Sequence, residues 1–223
     1  MSATAPAPQA RPGPVRVLIA DDHPVVLQGL RMMLDSDPEL EVAGEARDGD
    51  EAFAKAHQVE WDVAVLDYSM PGRGGIELVS DLRHAYPSRP VLILILYPED
   101  PHGLRALKAG AAGYMTKESV ADDLTAAVKR VAAGWRYISA SLAEKLASRL
   151  APAHERPPHE AISDREYRVM WLLAAGKGLQ QIAGEMRLSP STVSTYRGRI
   201  LKKLGLHTNV DLAHYAMKHH LIA

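Results

Sequence analysis

The chain has no cysteine in 223 residues, which excludes disulfides and thiolate metal sites and suits a reducing compartment. Long apolar runs are missing too. The longest aliphatic stretch, "VLILIL" at 91–96, is far short of the roughly 20 residues that cross a bilayer. The amino end, "MSATAPAPQARPGP", lacks the apolar core of a signal peptide, and its Ala/Pro bias predicts a disordered leader over 1–14. There is no sequence repeat at a period of roughly 20–50 residues. Together these absences predict a cytoplasmic protein with no membrane contact. A large net charge is also lacking, the total being −1. That total hides an asymmetry. From Ile162 onward nine Lys/Arg stand against four acidic residues, a balance of +5, while the preceding part carries −6. A basic end on an acidic body predicts that one part meets a polyanion, the alternative being an ordinary solvated surface.

What is present is an alternation. "VRVLIA", "EVAGEA", "DVAVLD", "VLILIL" and "AGYMTK" read as strands, and each is followed by an amphipathic stretch of helical period. Five strand–helix pairs with short connections predict a doubly wound α/β domain over 15–135. After Gly134 the pattern stops. "SLAEKLASRL" reads as one helix and "APAHERPPHEA" as a Pro-rich linker, so that 136–161 connects the two parts. An all-helical domain is expected over 162–223. Ser163-x-x-Glu166 forms a capping box for its first helix, and Gly176 can end that helix. A turn at Arg187-Leu188 follows a short second helix, Ser189-Pro190 opens a longer third, and Thr208-x-x-Asp211 opens the fourth.

"VLILILYPED" raises the question of a site. A short, unbroken apolar strand is covered on both faces, as in a parallel sheet, and chemistry there sits at the carboxyl ends of the strands. Asp21, Asp22 and Asp67 fall at such ends. Three carboxylates in one cleft repel each other unless protonated or bridged by a cation, and an all-oxygen donor set suits Mg2+. Lys117, ending the fifth strand, adds a point charge suited to a phosphoryl oxygen. The implied chemistry is attack of a carboxylate on phosphorus. The plainer reading is that acidic residues at strand ends begin turns or cap helices.

In the helical part, a helical wheel over Pro190–Leu204 gathers Val193, Ile200, Leu201 and Leu204 on one side. Ser191, Ser194, Thr195, Gly198 and Lys202 lie opposite, flanked by Arg199. That small, polar, basic face suits the major groove of double-stranded DNA. Arg199, Lys202 and Lys203 can reach phosphates, whereas Arg197 falls near the core side and must snorkel outward. Thr192 completes the expected contact set of Ser191, Thr192, Ser194, Thr195, Arg197, Arg199 and Lys202. Gly198 relieves crowding against either DNA or a neighbouring helix.

"LIADDHPVV", "VLDYSMPGRGG" and "AGAAGYMTK" resemble the receiver domains of two-component response regulators. "ISDREYRVMWLLAAGKGLQQIAGEMRLSPSTVSTYRGRILKKLGLHT" resembles the helix-turn-helix of the LuxR/NarL class. The resemblance covers Val15 to the carboxyl end. It implies a flavodoxin-like, five-stranded parallel sheet joined by a linker to a four-helix DNA-binding domain. It also implies that Asp67 accepts a phosphoryl group from a sensor histidine kinase. Asp22 and Asp67 would ligate Mg2+ directly, Asp21 through water and Ser69 through its backbone carbonyl. Lys117 would pair with the phosphoryl group, and Tyr114 would be the aromatic that swings inward on activation. Ser69 and Tyr97 match positions that influence hydrolysis of the phospho-aspartate. The last helix would pair two copies, giving a homodimer when active or on DNA, or would simply close its own domain's core.

One position departs from the family pattern. Counting back from Tyr114 and Lys117, Ile95 stands where the family places Ser or Thr. A hydroxyl that would bond the phosphoryl group is missing, and Ile95 is expected to fill the space under Tyr114 and oppose its inward swing. The expectation is therefore a transcriptional regulator, not an enzyme, with a weakened switch. One variant acts largely independently of phosphorylation, and a plainer one has Ile95 merely extending the strand. A Mg2+-dependent aspartyl phosphatase is the alternative of another class, but Ser69 stands two residues after Asp67 and cannot serve as general acid.

Overall fold

Alternating apolar runs and amphipathic stretches produce ten elements in strict succession. They are β1 (Val15–Ala20), α1 (Pro24–Asp35), β2 (Leu40–Ala46), α2 (Gly49–Gln58), β3 (Val63–Asp67), α3 (Gly75–Ala85), β4 (Val91–Ile95), α4 (Pro101–Lys108), β5 (Gly113–Thr116) and α5 (Val120–Ala132). These come from a computed structural model that describes residues 13–95, 101–138, 158–219 and 221–222. Most of the expected leader, Tyr97, the expected helix at "SLAEKLASRL" and most of the linker lie outside the described residues. By its contacts the chain divides into one unit of Met1–Pro98 with Ala106–Ala143, and a second of Glu99–Arg105 with Glu144–Ala223.

In the first unit every strand pairs in parallel, in the order β2-β1-β3-β4-β5. All residues of β3 and β4 are buried, as unbroken apolar runs should be in the middle of a sheet covered on both sides. Leu27, Leu30 and Leu34 of α1 and Leu124, Val128 and Val131 of α5 cover one face, against Val17, Ile19, Val63, Val65, Leu92 and Leu94. Burying each such aliphatic side chain stabilises the fold by about 1.5–3 kcal/mol. Local chemistry sets where helices begin. Pro24 occupies the first turn of α1, and Asp48 caps α2 by accepting from the Glu51 amide. The order reverses between β1 and β3, so the crevice above those two strands is the place a doubly wound sheet offers for a site.

Among the described residues the second unit holds a 3-10 turn (Pro158–Ala161) and four α-helices: α6 (Asp164–Ala174), α7 (Leu179–Met186), α8 (Pro190–Leu204) and α9 (Asn209–Lys218). Ser163 and Glu166 form the expected capping box on α6, and Thr208 and Asp211 form another on α9. Gly176, at φ +84°, ends α6, and Gly205, at φ +67°, ends α8. The turn between α7 and α8 is closed by Arg187 in the left-handed region, the one non-glycine residue with positive φ among those described. The Leu188 amide then reaches back to the Ala183 carbonyl and satisfies a helix-end acceptor. Tyr167, Val169, Met170, Ile182, Val193, Ile200 and Leu212 build this unit's own core. Among the described residues no helix is long and apolar enough to cross a membrane.

Candidate functional site

The register of β1 on β3 pairs Ala20 with Leu66, which carries Asp21 and Asp67 to neighbouring positions at the reversal of strand order. Both carboxylates are buried, Asp21 fully and Asp67 to within 2%. Lys117, brought by the end of β5, bridges them. Its Nζ lies 2.6 Å from Asp21 Oδ2 and 3.0 Å from Asp67 Oδ1. Backbone geometry holds the lysine in place, because its amide donates to the Ile95 carbonyl at 2.7 Å. Burial pushes the Asp67 carboxyl up to about 6, with Asp21 and Asp22 raising it further and Lys117 working against them. Burial also opposes the Lys117 charge, but Asp67 and Asp21 outweigh it and hold the ammonium above its ordinary value.

Two oxygens in this pocket are left over. Asp67 Oδ2 and Asp22 Oδ1 are buried and have no hydrogen-bond partner. A buried carboxylate oxygen without a partner is costly, and a cation is a ligand that can satisfy such an oxygen. The pocket's donor set is therefore one that can hold a divalent cation. His23 stands beside it, with Nδ1 3.2 Å from Asp21 Oδ1 and 2.8 Å from Asp22 Oδ1. Ser69 follows Asp67 by two residues on the exposed turn after β3. Gly75 lets α3 begin close by, since a Cβ there would meet the Tyr68 carbonyl oxygen at 2.8 Å.

Ile95 and Tyr114 are both buried, with 4% and 1% exposure. They leave adjacent strands two positions out of register: Ile93 pairs with Tyr114, and Ile95 with Thr116.

On α8, Val193, Ile200, Leu201 and Leu204 are buried in the core. Ser191, Ser194, Thr195, Gly198, Arg199 and Lys202 are exposed, which is the face read from the helical wheel. Ser189 caps the helix by accepting from the Thr192 amide at 3.1 Å, and Thr195 Oγ1 donates to the Ser191 carbonyl at 3.0 Å. A Cβ on Gly198 would meet nothing within 4 Å, so no neighbouring helix requires glycine there.

Two basic residues are placed apart from this face. Arg197 is half-buried and its Nε donates to Asn209 Oδ1 at 2.6 Å, tying α8 to the start of α9. Lys203 donates to Glu166 Oε2 at 2.7 Å and so braces α6 rather than reaching outward. His23, Asn209 and Glu166 were not singled out from the sequence for these roles. Only His23 carried a signal, its adjacency to Asp21-Asp22.

Comparison with known proteins agrees with both halves. Residues 17–129 match the response regulator receiver domain, and residues 160–216 match the bacterial regulatory proteins of the luxR family. The chain is 38% identical over 209 residues to the response regulator GacA of Pseudomonas viridiflava, covering 93% of this chain and 98% of that one. It is 33% identical over 208 residues to the response regulator UvrY of Escherichia coli K12, covering 93% and 95%. Among solved structures it is similar to the RcsB response regulator of Salmonella typhimurium, with TM-score 0.72 and 26% identity over 92% of this chain and 98% of that one. RcsB has also been solved as two dimers bound to two parallel DNAs, a structure matched at TM-score 0.59 and 26% identity over 92% of this chain and 98% of that one.

Proposed function

The chain belongs to the luxR family of two-component response regulators, DNA-binding transcription regulators controlled by phosphorylation, and from that premise we propose that Asp67 is its phosphoryl acceptor. The observation that carries this reading is the Lys117 bridge between two buried carboxylates, one of which, Asp67, keeps an oxygen without a partner. An Asp67 carboxylate oxygen forms a bond to phosphorus while the bond from phosphorus to the kinase histidine nitrogen breaks. The imidazole leaves with that electron pair. Lys117 supplies positive charge beside the oxygens of the transferring group. Asp22 and Asp67 would hold Mg2+ directly, Asp21 through water and Ser69 through its carbonyl. The ion would supply Lewis-acid stabilisation of the phosphoryl charge. The nucleophile must be ionised, which with a value of about 6 it largely is at neutral pH.

The exposed face of α8 is the proposed DNA contact. Ser191, Ser194 and Thr195 are placed to meet base edges, and Arg199 and Lys202 to meet phosphates. Thr192 contributes through the cap. Arg197 acts as a positioning residue, since its guanidinium is engaged by Asn209. A homodimer on double-stranded DNA, with a sensor histidine kinase as phosphoryl donor, completes the reading. RcsB dimers on DNA support the first of these.

Ile95 has no polar side-chain atom with which to bond a phosphoryl group, and this favours a weakened switch. Coupling is the test. Full-length protein should bind double-stranded DNA with a steep salt dependence, and any change in affinity on adding acetyl phosphate with Mg2+ should vanish in Asp67→Asn. A protein that binds no DNA, or whose response to acetyl phosphate persists in Asp67→Asn, contradicts the reading.

A further inference from the structure

The sheet does not end at β5. Helix α5 stops at Gly134, whose φ is +82°. The Gly134 amide donates to the Val131 carbonyl and the Trp135 amide to the Arg130 carbonyl, a paired closure that turns the chain back. Tyr137 then forms a parallel bridge with Gly113, on the edge of β5 opposite β4. Its amide donates to the Ala112 carbonyl, and its carbonyl accepts from the Tyr114 amide, both at 3.1 Å. Gly113 permits this approach, since a Cβ there would stand 2.8 Å from the Tyr137 carbonyl oxygen and 2.9 Å from Tyr137 Cβ. Two side-chain bonds to α5 complete the attachment. Arg130 Nε donates to the Arg136 carbonyl at 3.0 Å, and the Tyr137 hydroxyl to Asp123 Oδ2 at 3.1 Å.

Residues 135–138 thus form a narrow strap along β5. Among the described residues a single bridge pairs it with the strand, whereas β4 pairs with β5 over four residues. The strap lies where the segment joining the two domains begins. The same strand serves the acidic pocket at its other end. Lys117 follows β5 directly, and its ammonium stands between Asp21 and Asp67. From Tyr114 to Lys117 is about 10 Å of extended chain. A four-residue strand therefore carries the pocket's lysine at its end and the strap along its outer edge.

We propose that this strap is a regulatory fastening, seated on β5 while Asp67 is unmodified and loosened when Asp67 carries a phosphoryl group. This rests on the reading that Asp67 is the acceptor. In the unmodified pocket the Lys117 ammonium is shared between two carboxylates. Phosphoryl oxygens on Asp67 add negative charge and draw that ammonium toward them. The short strand follows its lysine, and the strap loses its fit against Gly113. The route runs along the backbone and uses neither the Tyr114 ring nor the hydroxyl that Ile95 lacks. Strap and phosphoryl group compete for the position of one strand, so their coupling is reciprocal: whatever lifts the strap favours the phosphorylated pocket. A strap that only covers an open sheet edge would show no such coupling.

The experiment follows amide hydrogen exchange in the full chain, with beryllium fluoride and Mg2+ as the phosphoryl mimic. On adding the mimic, the Tyr114 and Tyr137 amides should exchange about tenfold faster. The Ala112 amide, which donates to the Val91 carbonyl on the β4 side, should not change. Gly113→Ala, which sets a Cβ against the Tyr137 backbone, should bind the mimic about tenfold more tightly than wild type. Because that Cβ also meets Leu92, Tyr137→Ala is the second variant. It removes the bond to Asp123 without a backbone clash and should shift mimic binding in the same direction. If the wild type binds the mimic with both amides still protected, and Tyr137→Ala binds it no more tightly, the inference fails alone. If Asp67→Asn binds the mimic as tightly as wild type, Asp67 is not the acceptor, and the reading beneath the inference fails with it.

Discussion

Lys117 Nζ stands 3.0 Å from Asp67 Oδ1, but the same ammonium also serves Asp21 Oδ2 at 2.6 Å. One cation is shared between two buried carboxylates, and burial, with Asp21 and Asp22 adding to it, falls hardest on Asp67. Its value of about 6 lies above the 3.8 of an ordinary aspartate. A carboxyl whose folded value is raised destabilises the fold when ionised, fully above about pH 6, and the penalty is relieved as pH falls toward the ordinary value. Asp67→Asn should therefore stabilise the first unit at pH 7.5 by about 1–3 kcal/mol. The gain should roughly halve at pH 5. Melting curves of the full chain at the two pH values check this; a gain independent of pH would mean that Asp67 is not the strained group.

Gly198 sits in the middle of α8 with open space where a Cβ would be. Alanine there should stabilise the second unit by about 1 kcal/mol through helix propensity. The same change should weaken DNA binding, because the added methyl stands on the face proposed to enter the groove. Unfolding and DNA titration of one variant thus move in opposite directions. Equal or tighter DNA binding by Gly198→Ala would put the groove on another face.

Lys202 and Arg197 separate contact from positioning. Lys202 is exposed on the polar face, so Lys202→Ala should weaken binding to all sequences alike and reduce the slope of log affinity against log salt by about one. Arg197→Ala removes the bond to Asn209 and should cost about 1 kcal/mol of stability while leaving that slope unchanged. A reduced slope in Arg197→Ala would return that residue to the phosphate contacts.

The fold and most of the acidic pocket are legible in the sequence because both depend on local pattern. Unbroken apolar strands fix which residues reach the carboxyl ends, so Asp21, Asp22, Asp67 and Lys117 could be placed together before any packing was known. The helical wheel similarly separated Val193 and Ile200 from Ser194 and Lys202. What escaped were side-chain partners distant in sequence. Nothing near Arg197 announces Asn209 across the turn, and Lys203 meets Glu166 from 37 residues away. The near-complete burial of Tyr114 is a matter of tertiary packing, which periodicity does not encode. His23 adjoined two acidic residues in plain view, but sequence adjacency carries no rotamer.

Ile95 replaces a hydroxyl that would bond a charged phosphoryl group, an interaction of about 1.5–3 kcal/mol. Spent on the inactive-to-active equilibrium, that corresponds to a shift of roughly ten- to a hundredfold. The wild type should therefore be phosphorylated yet change its DNA affinity little, and Ile95→Thr should restore a clear response to a phosphoryl mimic. Ile95→Val, which frees space without adding a hydroxyl, should not reproduce it. A response to the mimic in the unaltered protein as large as that of Ile95→Thr would show that Lys117 and the cation suffice.

The acceptor can be mapped directly. Full-length protein incubated with acetyl phosphate and Mg2+ should take up one phosphoryl group, and borohydride trapping followed by peptide mass analysis should place it at Asp67. Asp67→Asn should take up none. Undiminished uptake by Asp67→Asn, or a trapped peptide that does not contain Asp67, would contradict phosphorylation of this residue and with it the proposed control of the DNA-binding domain.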